Sequence, residues 1–159
     1  MNRLFSELSE RICGEIEDLE CVIGRAEKSW EKAQKPSYEQ DVYLDSVALN
    51  LHSFYSGTER LFELIAKHVD SSIPEGRTWH RELLYQMSMD LPGIRPAVIG
   101  HNSTLSLDEL RRFRHLVRNV YTTNLAPDKI SGLMSALPVL WSNLKAELTA
   151  FSDFLKTIE

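Results

Sequence analysis

Apolar residues three and four positions apart run through almost the whole chain, and the apolar-polar alternation of a half-buried strand is not found. Leu4, Leu8, Ile12, Ile16, Leu19, Ile23, Ala26 and Trp30 keep to one helical face for about eight turns, and such a stripe must be buried against another element. Lys35-Pro36-Ser37 ends this first helix, because the residue before a proline leaves the helical region. A second stripe runs through Leu44, Val47, Leu51, Phe54, Thr58, Leu61, Phe62, Ile65 and Val69. The short linker predicts an antiparallel pair of helices, with Gly57 at their close approach.

Ser71 to Gly76 reads as a turn cluster, and Trp79, Leu83, Leu84 and Met87 predict a third, shorter helix over 77–90. Leu91-Pro92-Gly93-Ile94-Arg95-Pro96 breaks the pattern, so the stretch to Thr104 is expected to be an irregular loop open to motion or to a partner. Ser106-Leu107-Asp108-Glu109 has the form of a capping box and predicts the start of a fourth helix that runs to about Thr122. Ala126-Pro127-Asp128 opens the last helix, whose stripe is Ile130, Leu133, Leu137, Trp141, Leu144, Leu148, Phe151 and Leu155 and which Pro138 is expected to kink or divide. The expectation is one domain over 1–159, an all-α, up-and-down bundle of about five helices.

Composition narrows the function classes. Of 159 residues, 43% are hydrophobic and 26% charged, which suits a globular chain with a real core. Eighteen basic against 23 acidic residues give a net charge of −5, so binding to nucleic acid would have to come from a local basic patch. No apolar run approaches the roughly 18 residues of a membrane span, and Glu7, Glu10, Glu15 and Glu17 argue against a signal peptide. Cys13 and Cys21 lie about 12 Å apart along one helix, too far for a bridge, which fits a reducing cytoplasm and inert packing roles. His52, His68, His80 and His101 have no metal-ligand spacing, and His80 reads as a surface residue, so no metal and no cofactor is expected. Trp30, Trp79 and Trp141 each fall within an apolar stripe, which favours packing over base stacking.

The chemistry gathers on the fourth helix, where residues 110–121 hold four arginines and no acid. With Arg111 at zero and 100° per residue, His115 falls at about 40°, Asn119 at about 80°, Arg118 at about 340°, Arg114 at about 300° and Tyr121 at about 280°. One reading is a solvated face neutralised by carboxylates of the first two helices; the other is a phosphate site, since guanidinium forks match phosphate oxygens and an imidazole can move a proton near neutrality. Such a set can cleave RNA without metal: a base takes the 2′-OH proton, the oxygen attacks the adjacent phosphate, and arginines stabilise the developing charge.

The run Arg111-Arg112-Phe113-Arg114-His115, the segment from Gly57 to Ala66 and the segment from Pro74 to Leu84 make the chain, from about residue 44 onward, resemble the HepT-like toxins of the HEPN superfamily. Members are helical bundles that dimerise and carry an Arg-polar-x-x-x-His-x-Tyr motif on a late helix. Arg114 stands at the arginine position, His115 at the polar position and Tyr121 at the tyrosine position, whereas Asn119 occupies the position of the catalytic histidine. The resemblance implies a homodimeric, metal-independent ribonuclease toxin of the cytoplasm, acting on RNA such as tRNA, and a minimal nucleotidyltransferase antitoxin that transfers AMP to Tyr121. In that scheme Arg114 and Arg118 hold the scissile phosphate, Arg111 and Arg112 anchor flanking phosphates, His115 is the acid or base and Asn119 positions RNA. A carboxamide is no base near neutral pH. Two alternatives therefore stand beside the nuclease: a catalytically degenerate HEPN-fold binding module, and a nucleotide-binding helper domain for a separate nucleotidyltransferase.

Overall fold

The computed structural model describes residues 3–119 and 127–158, with the side chains of 116–119 outside the description. Among the described residues there are five α-helices and no strand: α1 (Arg3–Ala33), α2 (Gln40–Ile65), α3 (Trp79–Met87), α4 (His101–Asn119) and α5 (Pro127–Thr157). The chain is an all-α bundle, as its periodicity requires.

The antiparallel course of the helices follows from which residues meet. Ser29 bonds Ser46 at 2.8 Å, a Cβ on Gly57 would stand 3.0 Å from Leu19, and Arg60 lies 3.9 Å from Glu15, so α2 descends as α1 rises. Gly57 thus sits at the close approach expected of it. The α1–α5 seam is likewise antiparallel. The buried Ser9 and Ser152 hydroxyls bond each other at 2.6 Å near one end, and Lys145 pairs with Glu20 at 2.9 Å further along. The core between the layers is built from Ile12, Leu51, Phe62, Leu107, Phe113 and Leu144, each almost fully buried. Of the tryptophans, Trp141 is buried against the edge of Phe54, with ring centres 5.9 Å apart, and Trp30 and Trp79 pack on the margin of the core.

Four local expectations are corrected. The fourth helix begins at His101 rather than Ser106, because its first turn is capped by a residue of α5. The Glu147 carboxylate accepts the Gly100 N–H at 2.7 Å and the Ser103 hydroxyl at 2.6 Å, which satisfies amide and hydroxyl donors that the local sequence leaves open. The stretch from 91 to 100 is not a loose loop. Pro92 and Gly93 form a tight turn with Gly93 at φ +78°, Val98 and Ile99 are buried, and Arg95 reaches inward to Asp70. Pro138 does not divide α5, and its ring lies on the solvent side of a continuous helix. Cys13 and Cys21 are unbridged and exposed on α1, and of the packing expected of them only a contact of Cys13 Sγ with the Ser152 hydroxyl at 3.5 Å is found among the described residues.

Asp70 owes its position to a π-helical turn, Ala66–Asp70, that follows α2 and ends on Ser71 in the left-handed region at φ 55°. α2, this turn, α3 and the 91–100 segment are therefore joined through one buried ion pair. α3 packs against both α2 and α4, and that contact forms the cleft described below.

Gly14 and Gly24 lie exposed inside α1, and a methyl group added at either would meet nothing within 4 Å. Alanine at each is expected to raise stability by about 0.5–1 kcal/mol, from the lower backbone entropy of the unfolded chain. A urea titration showing a higher midpoint at unchanged slope checks this.

Candidate functional site

α4 is fixed by its apolar face. Leu107, Leu110 and Phe113 are buried, which turns Arg111, Arg114 and His115 toward α3 and the solvent. Among the described residues, the counter-charges of Arg111 and Arg112 come from α4 itself. Asp108 pairs with Arg111 at 2.9 Å and with Arg112 at 2.8 Å, and Glu109 lies 3.5 Å from Arg112 and 3.3 Å from Lys129. Arg114 differs from both: it forms no ion pair with a described residue, and its Nε is buried without a hydrogen-bond partner. A buried donor left open costs about 1–3 kcal/mol, a cost that an acceptor on a ligand in the cleft would offset.

Arg111, Arg114 and His115 form one wall of a cavity of about 360 Å³, and Arg77 just before α3, with His80 and Arg81 at its start, form the other. The lining holds four arginines and two histidines and no carboxylate. A net-acidic protein thus carries a concentrated positive cleft, the arrangement that draws phosphate groups. Arg112 points elsewhere, to Asp108 and Glu109. Arg118 and Asn119 lie on α4, but their side chains are outside the described residues, and Tyr121 is outside them altogether.

His80 is the residue that sequence reading placed wrongly. It is not a plain surface histidine: its side chain is only 27% exposed, its ring stacks on Trp79 with centres 3.6 Å apart, and its Nδ1 lies 2.7 Å from Glu59 Oε2. Glu59 is buried in α2, and the same oxygen accepts the Tyr55 hydroxyl at 2.8 Å. Burial, with the Glu59 charge beside it, holds the Tyr55 phenol far above its ordinary pKa, while Arg111 and Arg114 pull weakly the other way, so Tyr55 stays a donor to the carboxylate. Burial, then the Glu59 charge, also raises the pKa of Glu63, one turn further along α2. A signal for this group existed in the sequence. Glu59 stands four residues after Tyr55 on the face of α2 that carries Leu51, Phe62 and other buried residues, and a carboxylate on such a face needs a partner.

Among the described residues no three histidine, cysteine or acidic side chains gather as a metal-binding group, and no helix is long and apolar enough to cross a membrane. A larger groove of about 790 Å³ adjoins the cationic cleft, with Tyr85, Met89 and Leu105 among its lining.

The fold and the cleft define a class: a helical bundle in which a short third helix and an arginine-rich fourth helix enclose a cleft lined by arginines and histidines. The chain belongs to the HepT-like protein family, whose model matches residues 46–155, and with it to the HEPN superfamily. The matched stretch takes in every residue of the cleft and leaves out α1. No curated protein and no solved structure matches the chain.

Proposed function

We propose that this protein is a metal-independent endoribonuclease toxin whose catalytic cleft lies between α3 and α4. The observation that carries this reading is Arg114, a half-buried arginine with an unpartnered Nε in a cavity lined by arginines and histidines. Arg114 and Arg118 hold the scissile phosphate, and Arg111 and Arg112 anchor its neighbours on the strand, releasing Asp108 and Glu109 as they do so. The 2′-oxygen attacks phosphorus and the P–O5′ bond breaks, with charge on the non-bridging oxygens met by guanidinium donors. His115, on the rim of the cavity, transfers a proton in this step, and Asn119 positions RNA through its carboxamide.

Control of the activity follows the family scheme. A minimal nucleotidyltransferase antitoxin joins the Tyr121 oxygen to the α-phosphate of ATP with release of pyrophosphate, which adds a fixed anion that competes with RNA. The protein works as a homodimer in the cytoplasm, with its fourth helices approaching each other. The exposed Tyr85, Met89 and Leu105 beside the cleft support an apolar contact there.

The test is incubation of the purified protein with total tRNA in EDTA, resolved on a denaturing gel, together with binding to single-stranded RNA across a salt series. Cleavage is expected to persist in chelator. The logarithm of the binding constant is expected to fall with the logarithm of salt at a slope of about −3, from about −0.7 per phosphate for four arginines. Salt-dependent binding with no cleavage assigns the chain to the degenerate binding module that Asn119 favours. Saturable binding of a nucleotide with no RNA binding assigns it to the helper domain.

A further inference from the structure

A transesterification of this kind moves two protons, one off the 2′-hydroxyl and one onto the departing O5′, and it runs best when two groups share the work. The cleft contains two imidazoles, His115 on α4 and His80 at the start of α3. They reach the same cavity from different elements. His80 is backed by a carboxylate, with its Nδ1 2.7 Å from Glu59 Oε2.

We propose that His80, oriented by Glu59, is the general base of this cleft, a role that rests on the ribonuclease reading above. Glu59 is buried and can accept but not donate when ionised, so Nδ1 carries the ring proton and Nε2 is left as the basic nitrogen for a ligand in the cavity. The Tyr55 hydroxyl on the same carboxylate oxygen and the stacked Trp79 ring hold Glu59 and the imidazole in place. In the step, Nε2 of His80 takes the 2′-OH proton, and the imidazolium that forms is stabilised by the Glu59 charge. The O2′–P bond forms and the P–O5′ bond breaks. His115, protonated at the outset, gives its proton to O5′. The products are a 2′,3′-cyclic phosphate and a 5′-hydroxyl, so no water, metal or further reactant enters the balance. Arg114 stabilises charge on the phosphate between the two imidazoles. Glu59 is a positioning residue here and His80 the catalytic one, and the absence of histidine at 119 no longer leaves the cleft short of a base.

The experiment uses the full chain and a labelled single-stranded RNA in EDTA, comparing the wild type with Arg114→Ala, His80→Gln, His80→Gly and Glu59→Gln after each has been shown to unfold cooperatively. For His80→Gln, kcat is expected to drop about 10²–10³-fold with KM within about threefold, the scale of a lost general base. Glu59→Gln is expected to lose about 10–100-fold, the scale of a lost orienting partner. Added imidazole is expected to restore at least about tenfold to His80→Gly, an effect that a merely structural histidine would not show. If Arg114→Ala is inactive while folded His80→Gln cleaves within about threefold of the wild type, the role given to His80 is wrong and the ribonuclease reading survives. Folded His80→Gly that is inactive and unmoved by imidazole also overturns it. A wild type that cleaves no RNA overturns both readings together.

Discussion

Replacing Arg95 by methionine is expected to lower the free energy of unfolding by about 3–5 kcal/mol, the cost of leaving a buried charge without its partner. Both members of the pair are sealed, with side-chain exposures of 0% for Arg95 and 1% for Asp70. All five guanidinium hydrogens are used. Nε and Nη2 meet the two Asp70 oxygens at 2.6 and 2.8 Å, Nη1 meets the carbonyls of Met89 and Pro96, and Nη2 also meets that of Gln86. Gln86 adds its own bond to Asp70 at 2.7 Å, so removal of Arg95 strips the carboxylate of its only counter-charge among these partners and opens three backbone acceptors at once. A domain of this size holds only about 5–15 kcal/mol in total, so the loss should be plain as a fall in the urea midpoint. Asp70→Leu together with Arg95→Met is expected to cost less than the sum of the single changes, because the double variant buries no orphan charge. A loss below about 1 kcal/mol in Arg95→Met, with the protein still cooperative, would show that water reaches the site.

That ion pair also explains why part of the fold is hidden from the sequence. The helices themselves are legible, since residues such as Ile12, Leu51, Phe113 and Leu148 fall at the spacing that a packed helix demands, and all four are buried. What periodicity cannot report is a bond between distant positions. Pro92, Gly93 and Pro96 mark the 91–100 segment as a break, yet Arg95 and Asp70, 25 positions apart, turn that break into a fixed corner. The start of α4 escapes a local reading for the same reason. Ser106 and Glu109 have the form of a cap, but the acceptor for the true first turn is Glu147, 47 positions from Gly100. Pro138 marks an interruption by its chemistry alone, and the burial of Leu133, Leu137, Leu140, Trp141 and Leu144 around it outweighs a local penalty of about 3 kcal/mol.

The candidate site divides in the same manner. The arginine stripe can be read directly because all its members lie on one helix, and projection at 100° per residue puts them together. The opposite wall cannot. His80 and Glu59 stand 21 positions apart on different helices, and neither belongs to a motif that spacing alone reveals. The carboxylate on a buried helical face is the one visible trace of them. Reading buried acids first and then searching for the basic groups they must face is the step that finds this wall of the cleft.

Arg114 provides the sharpest contrast with Arg95, and its replacement is the second large effect expected. Arg95 spends every donor on the folded chain, whereas Arg114 leaves a buried Nε with no partner and pairs with no described acid. An arginine kept for stability should be costly to remove. One kept for a ligand should be costly only to function. Arg114→Ala is therefore expected to keep or slightly raise the free energy of unfolding, by up to about 1 kcal/mol, since it removes an unsatisfied buried donor and relieves repulsion among the four arginines of the cleft. Under the proposed ribonuclease activity, the same change is expected to cut RNA cleavage about 10²–10³-fold, the scale of one lost donor to transition-state charge. Arg114→Lys is expected to recover little, because a single ammonium cannot supply the planar fork that meets two phosphate oxygens together. Unfolding midpoints and single-turnover cleavage, measured on the same preparations, decide the matter. A large loss of stability with cleavage retained in the folded fraction would make Arg114 a structural residue and move the phosphate site off α4.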